Sequence, residues 1–209
     1  VGGVTPAADG APWLTVSLAR LAGLRALDDG SLLATFGPGT AGPDVEAALR
    51  ARGLTLGHYP QSWELSTVGG WVASRSSGQQ SSGYGRIEAL FAGGTVEAPA
   101  GTLEMPPHPA SAAGPDLRQA ILGSEGRLGI VTEAVLRVAP LPEVEAFPTL
   151  FLPDWERVME PVLTDPVARR DWAWFVLPIR FGFPASPSPA APRRWRRRFA
   201  RGRRRRRRT

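Results

Sequence analysis

The segment from Pro60 to Gly85 reads PQSWELSTVGGWVASRSSGQQSSGYG and carries the strongest structural signal in this 209-residue chain. Ser66 or Thr67 can cap a short helix, and the second turn of that helix would contain Gly69 and Gly70. Each glycine in a helix interior costs about 1 kcal/mol relative to alanine. Two adjacent glycines therefore predict that a planar ring system or a phosphate approaches the backbone closely at this point.

Small hydroxyl side chains and one arginine surround the paired glycines. The hydroxyls and the charge belong to Ser66, Thr67, Ser74, Ser76, Ser77 and Arg75. Hydroxyls, backbone N–H groups and an arginine together suit an anionic cofactor with several functional groups. A flexible Ser/Gly linker is the alternative, but bulky apolar residues recur within the stretch at Trp71, Val72 and Ile87 and argue against it.

A second glycine-containing stretch, from Gly123 to Thr132, reads GSEGRLGIVT. A helix is predicted to end before it, and a buried strand is predicted to begin at Ile130. The loop between them can present its N–H and C=O groups to the edge of a heterocycle. Taken alone, it is an ordinary connection between a helix and a strand.

The hydrophobic pattern predicts short helices and strands in irregular alternation. Helices are predicted from Pro43 to Arg52 and from Pro115 to Leu122, each followed by glycine. Strands are predicted at residues 14–18, 24–27, 31–36, 95–98, 102–105 and 130–139. In the last strand Glu133 and Arg137 would lie on a solvated face, opposite a shared face made of Ile130, Thr132, Ala134, Leu136 and Val138. This order indicates an α+β fold with a mainly antiparallel sheet flanked by helices.

A glycine motif of the form G-x-G-x-x-G occupies residues 37–42, between a predicted strand and a predicted helix. In a dinucleotide-binding fold the next strand would be parallel and would end near an acid such as Glu64. Residues 54–65 are instead interrupted by Gly57 and Pro60. A tight strand-to-helix turn is therefore the favoured interpretation of the motif.

The charges are distributed unevenly along the chain. All 25 basic residues are arginine; 12 of them lie between Arg193 and Arg208, whereas residues 1–192 contain 13 arginines and 19 acids. The basic character therefore belongs to the C-terminal tail, and composition alone does not indicate a nucleic-acid-binding protein. The absence of cysteine excludes disulfides and thiolate chemistry, and the two histidines, His58 and His108, are too far apart to suggest a zinc centre.

Three segments of the chain differ in composition. Residues 1–148 alternate short apolar runs with glycine-rich turns, residues 149–183 are rich in aromatic residues, and residues 184–209 consist mostly of proline, serine, alanine and arginine. The last segment is expected to be disordered because it cannot bury enough apolar surface. Its composition is also what a GC-rich gene yields when it is read out of frame, a hypothesis that resequencing of the locus would test.

In their order and spacing, these motifs resemble the FAD-binding domain of the vanillyl-alcohol oxidase and p-cresol methylhydroxylase superfamily. Within it, they are most similar to the alkyldihydroxyacetonephosphate synthase branch and its bacterial FAD-linked oxidoreductase relatives. The resemblance extends over about residues 1–160 and is carried mainly by residues 57–60, 66–71, 74–78, 123–126 and 128–132. Residues 1–4 resemble the end of the glycine-rich pyrophosphate loop of that family, so the chain resembles the second part of the domain.

The resemblance implies that the chain binds FAD through three segments. The loop from Gln61 to Thr67 and the turn from Ser74 to Ser77 would hold the flavin and its phosphates, and residues 125–131 would hold further parts, including the adenine end. Gln61 stands where the family usually has aspartate, and His58 is implied to be a loop residue rather than a catalytic base. The implied cofactor-binding residues are Gln61, Ser62, Trp63, Glu64, Leu65, Ser66, Thr67, Gly69, Gly70, Ser74, Arg75, Ser76, Ser77, Glu125, Gly126, Arg127, Leu128, Gly129, Ile130 and Val131.

The resemblance further implies an FAD-dependent enzyme whose cap domain binds a small-molecule or lipid-precursor substrate. Two activities remain open: exchange of an acyl for an alkyl group on acyl-dihydroxyacetone phosphate at flavin N5, and oxidation of a hydroxy acid or alcohol by hydride transfer to N5. Residues 149–183 would be the truncated beginning of the cap. The chain, which starts at Val1, is therefore expected to be an internal piece of a flavoenzyme that is inactive alone and binds FAD weakly or not at all.

A nucleic-acid-binding module that acts through the arginine-rich tail is the competing class of function. Residues 193–208 would bind polyanions without sequence specificity and with strong salt dependence. No known nucleic-acid-binding motif precedes this tail, and only Trp195 and Phe199 interrupt it with aromatic rings. The sequence contains neither a signal peptide nor an apolar run long enough for a membrane helix, so a cytoplasmic location is expected, as for the bacterial relatives.

Overall fold

A five-stranded antiparallel sheet is central to the computed structural model, which describes residues 14–109 and 114–145. The strands of these residues, in chain order, are Leu24–Asp28 (β1), Leu33–Phe36 (β2), Leu54–Thr55 (β3), Phe91–Ala98 (β4), Gly101–Met105 (β5), Ile130–Arg137 (β6) and Ala139–Pro140 (β7). The large sheet has the order β1-β2-β6-β4-β5, and each neighbouring pair is antiparallel. β3 and β7 form a separate antiparallel pair. The predicted mainly antiparallel sheet is therefore confirmed.

Five short helices of the described residues flank the sheet: Gly42–Arg50 (α1), Val68–Ser74 (α2), Ser81–Tyr84 (α3), Ile87–Leu90 (α4) and Leu117–Ile121 (α5). α1 has the predicted signals, with proline at its start, Asp44 in its first turn and Arg50 in its last turn. α5 is shorter than predicted because Asp116 caps it: the Asp116 side chain accepts a hydrogen bond from the Arg118 N–H. Together with their neighbours through Val144, these elements form one compact unit.

The hydrophobic core lies between the sheet and helices α1 and α2. Val45 and Leu49 of α1 and Trp71 of α2 are buried in the same cluster as sheet residues such as Phe36 and Leu136. Burial of each such side chain stabilises the fold by about 1.5–3 kcal/mol. The core therefore holds α2, which carries the paired glycines, against the sheet.

The strand predicted at residues 14–18 is wrong: these residues are in neither a strand nor a helix. Their apolar side chains are exposed, Leu14 to 86% and Val16 to 54%. The segment Ser17–Gly23, which we call the strap, instead lies against the turn between β2 and α1 through backbone hydrogen bonds. Alternation of apolar residues indicates a strand only where a neighbouring strand can cover one face.

A β-bulge changes the predicted faces of β6. Thr95 pairs with Glu133 but Val96 pairs with Val131, so Thr132 is the extra residue. Beyond the bulge Val131 is buried and Ile130 is 41% exposed, whereas Ala134 and Leu136 keep the predicted buried face. The prediction that alternate residues from Ile130 to Val138 share one buried face is therefore wrong for Ile130 and Thr132.

The predicted cap segment 149–183 and the arginine-rich tail 184–209 lie outside the described residues, as do residues 1–4. The boundaries between the three predicted segments stay predictions. Within residues 14–109 and 114–145, no helix combines the length and the apolar character that crossing a membrane requires.

Candidate functional site

The glycine motif at residues 37–42 is filled by the backbone of the strap. The Gly37 N–H donates to the Gly23 carbonyl at 3.0 Å, and the Gly39 N–H donates to the Leu21 carbonyl at 2.9 Å. A Cβ atom on Gly39 would overlap the carbonyl of Leu18. The following strand, β3, pairs antiparallel with β7. The interpretation as a tight strand-to-helix turn is therefore confirmed.

Thr40 connects this turn to the strap and to α2. Its side chain is 1% exposed, and its hydroxyl donates to the Gly37 carbonyl at 2.6 Å and accepts from the Gly23 N–H at 2.8 Å. The Thr40 carbonyl accepts from the Val68 N–H at 3.0 Å, and the Pro38 carbonyl accepts from the Gly69 N–H at 2.8 Å. Two N–H groups at the start of α2 are thus bonded within the chain.

The paired glycines lie in the first turn of α2, not in its second turn as predicted, and they have different surroundings. A Cβ atom on Gly69 would lie 2.7 Å from the Cβ of Pro38, so Gly69 is required by packing against the turn. A Cβ atom on Gly70 would find only the Thr67 hydroxyl within 4 Å, at 3.6 Å. Of the two paired glycines, only Gly70 therefore adjoins open space.

The loop Gly123–Gly129 is bound to the C-terminal end of α2. The Gly123 N–H donates to the Val72 carbonyl at 3.1 Å, and the Glu125 N–H donates to the Ala73 carbonyl at 2.8 Å. Gly129 has a φ of +140°, and a Cβ atom there would lie 2.6 Å from the carbonyl oxygen of Glu97. Glycine at this position lets the loop pass close beneath β4.

The strap, α2 and the Gly123–Gly129 loop border a cavity of about 470 Å³ that is open to solvent on one side. This volume is in the range of sites that bind small molecules and cofactors. Eight of the cofactor-binding residues implied by the sequence line it: Thr67, Gly69, Gly70, Glu125, Gly126, Gly129, Ile130 and Val131. The structure therefore brings together the paired glycines and the GSEGRLGIVT stretch, which are more than fifty residues apart in the sequence.

The remaining implied residues lie elsewhere. Arg127 and Leu128 line an adjoining groove of about 440 Å³ together with Glu125. Residues 61–65 form the loop before α2, in which Leu65 is 90% exposed. Ser66 accepts a hydrogen bond from the Trp71 ring N–H at 2.7 Å, and the Ser74 hydroxyl donates to the Gly70 carbonyl at 2.7 Å, while Ser77 is exposed.

Arg75, the expected positive charge of the site, bonds to two other helices. Its guanidinium donates to Glu88 of α4 at 2.8 Å and to Gln119 of α5 at 2.9 Å. This contact holds the pKa of the Glu88 carboxyl below its usual value. In this arrangement Arg75 connects α2 to its neighbours.

Six residues that line the cavity were missed by the sequence-based prediction: Ser17, Leu18, Ala19, Gly39, Ala73 and Ser124. Ala73 lies three positions after Gly70, so helical periodicity could have placed it on the same face. Ser124 directly precedes the implied loop. No local signal marks the strap residues, because a long-range contact with the turn positions them.

His58 is buried beneath the turn that follows α2. It is 1% exposed, its Nε2 atom lies 2.7 Å from the Ser76 hydroxyl, and its ring packs edge-on against Trp71 at 5.1 Å. Burial lowers the pKa of His58 from 6.5 to about 4. The ring is therefore neutral near pH 7, and the interpretation of His58 as a loop residue agrees with its buried position.

This depressed pKa predicts that the chain loses stability as the pH falls. Below pH 6.5 the unfolded chain binds a proton at His58 that the folded chain does not bind until about pH 4. The free energy of unfolding should therefore fall by about 1.4 kcal/mol per pH unit between these values, about 3 kcal/mol in total. Urea denaturation of the wild type and of His58→Gln, which retains a hydrogen-bonding group, measures the difference. Parallel pH profiles of the two proteins would contradict the assignment.

The two polar side chains predicted to lie on the solvated face of β6 have different roles. Glu133 forms an ion pair with Arg25 of β1 at 3.3 Å, with both side chains more than a third exposed, as predicted. Arg137 instead donates to the carbonyls of Ala89 and Phe91, at 3.0 and 3.4 Å, and holds the junction between α4 and β4. The predicted solvated surface is therefore confirmed at Glu133, whereas Arg137 is half-buried and bonded within the chain.

The chemistry of the cavity favours a large, flat, mostly uncharged group. The lining formed by the described residues combines apolar side chains, the hydroxyls of Ser17, Thr67 and Ser124, and one ionisable side chain, that of Glu125. Gly70 and Gly126 both border open space, since the nearest atom to a Cβ on Gly126 would be 3.9 Å away. Among the described residues, no cluster of three potential metal ligands occurs. The described wall therefore fits an aromatic ring system that lies against bare backbone and hydrogen-bonds at its edge.

An antiparallel sheet with flanking helices and a glycine-lined cavity of this volume can hold a cofactor. Residues 2–105 match the family model described as "FAD binding domain". This part of the chain belongs to that FAD-binding domain family, and FAD is the cofactor of the family.

The relatives confirm the resemblance seen in the sequence. The chain is 40% identical over 152 residues to alkyldihydroxyacetonephosphate synthase of Dictyostelium discoideum, which covers 72% of this chain and 25% of that protein. It is 44% identical over 95 residues to an uncharacterized FAD-linked oxidoreductase of Escherichia coli, covering 45% of this chain and 20% of that protein. A solved structure of alkyldihydroxyacetonephosphate synthase matches with a TM-score of 0.58 and 41% identity over 61% of this chain and 23% of that chain. The chain thus spans about a quarter of the length of the relatives it matches.

Proposed function

We propose that this chain forms one wall of the FAD cleft of an enzyme similar to alkyldihydroxyacetonephosphate synthase. The observation that carries the proposal is the cavity between the strap, α2 and the Gly123–Gly129 loop, with open space at Gly70 and Gly126. The identities of 36–40% to synthases from three organisms support alkyl-for-acyl exchange as the reaction class. A small lipid precursor is accordingly the proposed substrate of the enzyme.

The chain's own residues would bind and orient the cofactor. Gly70 lets the ring system approach the helix backbone, and the hydroxyls of Ser17 and Thr67 hydrogen-bond to its polar edge. The apolar side chains of Leu18 and Val131 exclude water from its face. When bound, FAD would supply the reactive N5 atom at which alkyl transfer or hydride transfer takes place.

Oxidation of a hydroxy acid or an alcohol is the second candidate. The 44% identity to an FAD-linked oxidoreductase favours it. The two activities differ in electron balance, because oxidation reduces the flavin whereas alkyl exchange causes no net redox change. Lasting loss of the oxidised-flavin absorbance on anaerobic addition of a hydroxy acid would indicate oxidation. Incorporation of a labelled fatty alcohol with release of a fatty acid, and with oxidised-flavin absorbance present after turnover, would indicate exchange.

An FAD titration followed by hydrogen–deuterium exchange tests the cofactor site itself. We expect saturable binding with a dissociation constant weaker than about 1 µM, because no arginine lines the described cavity to neutralise the pyrophosphate. Bound FAD should protect residues 17–19, 67–73 and 124–131 from exchange. NADH at the same concentration is the control and should protect none of them. Protection confined to the β4–β5 hairpin, or no response to FAD, would contradict the proposal.

A further inference from the structure

Thr40 is buried and is hydrogen-bonded to two walls of the cavity, the strap and α2. On one side, the strap contributes Ser17, Leu18 and Ala19 to the lining; on the other side, α2 contributes Thr67, Gly70 and Ala73. The Thr40 hydroxyl binds Gly23 at the end of the strap, and the Thr40 carbonyl binds Val68 at the start of α2. We propose that Thr40 is a positioning residue that fixes the distance between these walls and thereby the affinity for FAD. This inference rests on the proposed function of the cavity.

The two walls are held in place by different forces. α2 is anchored by packing, since Val68, Trp71 and Val72 are at most 2% exposed. The strap buries little apolar surface, as Leu21 is 36% exposed and the remaining strap residues are half-buried or exposed. Its position therefore depends on hydrogen bonds to the turn. Among the described residues there are three such bonds. Two join backbone groups, at Gly23 and Leu21, and in the third the Gly23 N–H donates to the Thr40 side chain.

The Thr40 hydroxyl is used in both directions. It donates to the Gly37 carbonyl at 2.6 Å while it accepts from the Gly23 N–H at 2.8 Å. Valine has nearly the same shape but can do neither, so Thr40→Val would leave the Gly23 N–H group without its acceptor, while the Gly37 carbonyl would keep only the backbone N–H of residue 40, at 3.1 Å. Hydration of the Gly23 N–H group is least constrained if the strap moves away from the turn, which would displace Ser17 to Ala19 from the cavity.

The experiment compares Thr40→Val with a matched variant, Thr55→Val. Thr55 is 3% exposed and its hydroxyl donates to Glu46 at 2.8 Å, but it does not line the cavity. Both variants lose one buried hydroxyl, so both should lower the unfolding temperature. Thr40→Val alone should raise the FAD dissociation constant by about tenfold and speed exchange of the strap amides. Thr40→Ser, which restores the hydroxyl, should return both values to those of the wild type.

Each outcome decides the inference. Equal FAD affinity of Thr40→Val and wild type would overturn it, as would an equal loss of affinity in Thr55→Val. If Thr40→Val does not fold, Thr40→Ala leaves space for a bridging water, and its strap exchange and FAD affinity are compared in the same way. If the wild type does not bind FAD, the proposed function fails; unchanged strap exchange in Thr40→Val then separately overturns the role of Thr40.

Discussion

Replacement of Gly70 by leucine is expected to abolish FAD binding while the chain stays folded. The position has no positive φ, and only the Thr67 hydroxyl lies near its side-chain direction, so the leucine side chain would extend into the cavity. Leucine also favours the helix over glycine by up to about 1 kcal/mol. The variant should therefore unfold at the same or a higher temperature than the wild type. Its FAD affinity should fall by more than about a hundredfold, because the side chain occupies the space of the ring.

Gly69→Ala is the matched control, because it changes the neighbouring residue and should have the opposite effect. The new methyl group would lie 2.7 Å from the Pro38 Cβ, which costs about 1–3 kcal/mol of stability. Because this methyl group faces Pro38 and not the open space beside Gly70, the remaining folded protein should lose far less FAD affinity than Gly70→Leu, although Gly69 also lines the cavity. Thermal unfolding and FAD titration of both variants compare the two changes in stability and in FAD affinity. Retention of FAD by Gly70→Leu would mean that the ring does not lie against α2.

The second large effect is expected from Glu46→Ala. Glu46 of α1 is 4% exposed, and its carboxylate accepts hydrogen bonds from the Thr55 hydroxyl and the N–H groups of Leu56 and Gly57, at 2.8, 3.0 and 3.2 Å. Alanine would leave the Thr55 hydroxyl and the Leu56 N–H buried without an acceptor, while the Gly57 N–H would keep its second hydrogen bond, to the Thr55 hydroxyl at 3.1 Å. The free energy of unfolding should fall by about 3–5 kcal/mol, measured by urea denaturation at pH 7.

Asp44→Ala is the control for this prediction. Asp44 is an exposed acid in the first turn of the same helix, where it contributes about 0.3–1 kcal/mol through the helix dipole. A loss at Glu46 no larger than the loss at Asp44 would show that water can replace the carboxylate. A large loss would show that Glu46 fixes the backbone of the loop between β3 and α2. Gly57, which donates to Glu46, directly precedes His58, and His58 is hydrogen-bonded to Ser76.

Local chemistry was sufficient to predict much of the fold. The proline, acid and arginine positions of α1 act within single helical turns, so the helix could be predicted to within two residues. The β4–β5 hairpin depends on a glycine at its turn and on alternating residues; β5 agrees with the predicted strand, but β4 begins at Phe91, four residues before the predicted strand. The two glycine-rich stretches both border the cavity, but packing within the chain requires glycine at Gly69 and Gly129, whereas Gly70 and Gly126 adjoin open space.

The remaining features depend on contacts between distant residues. The strap is placed by bonds to a turn about twenty residues later, and its sequence looks like that of an ordinary strand. Arg75 was expected to face the cofactor, but the position of Glu88 and Gln119 on other helices decides where its guanidinium lies. The bulge at Thr132 likewise depends on the register of the partner strand. None of these partners could be chosen from the local sequence alone.

The turn at residues 37–42 has a wider consequence for mutational scans of this protein. A peptide carbonyl oxygen and a phosphate oxygen make the same steric demand on the glycine that faces them. In this chain the demand comes from the carbonyls of Leu18 and Leu21. Intolerance to substitution at Gly37 and Gly39 would consequently look like that of a nucleotide-binding loop, although it arises from a backbone contact between two segments of the same chain.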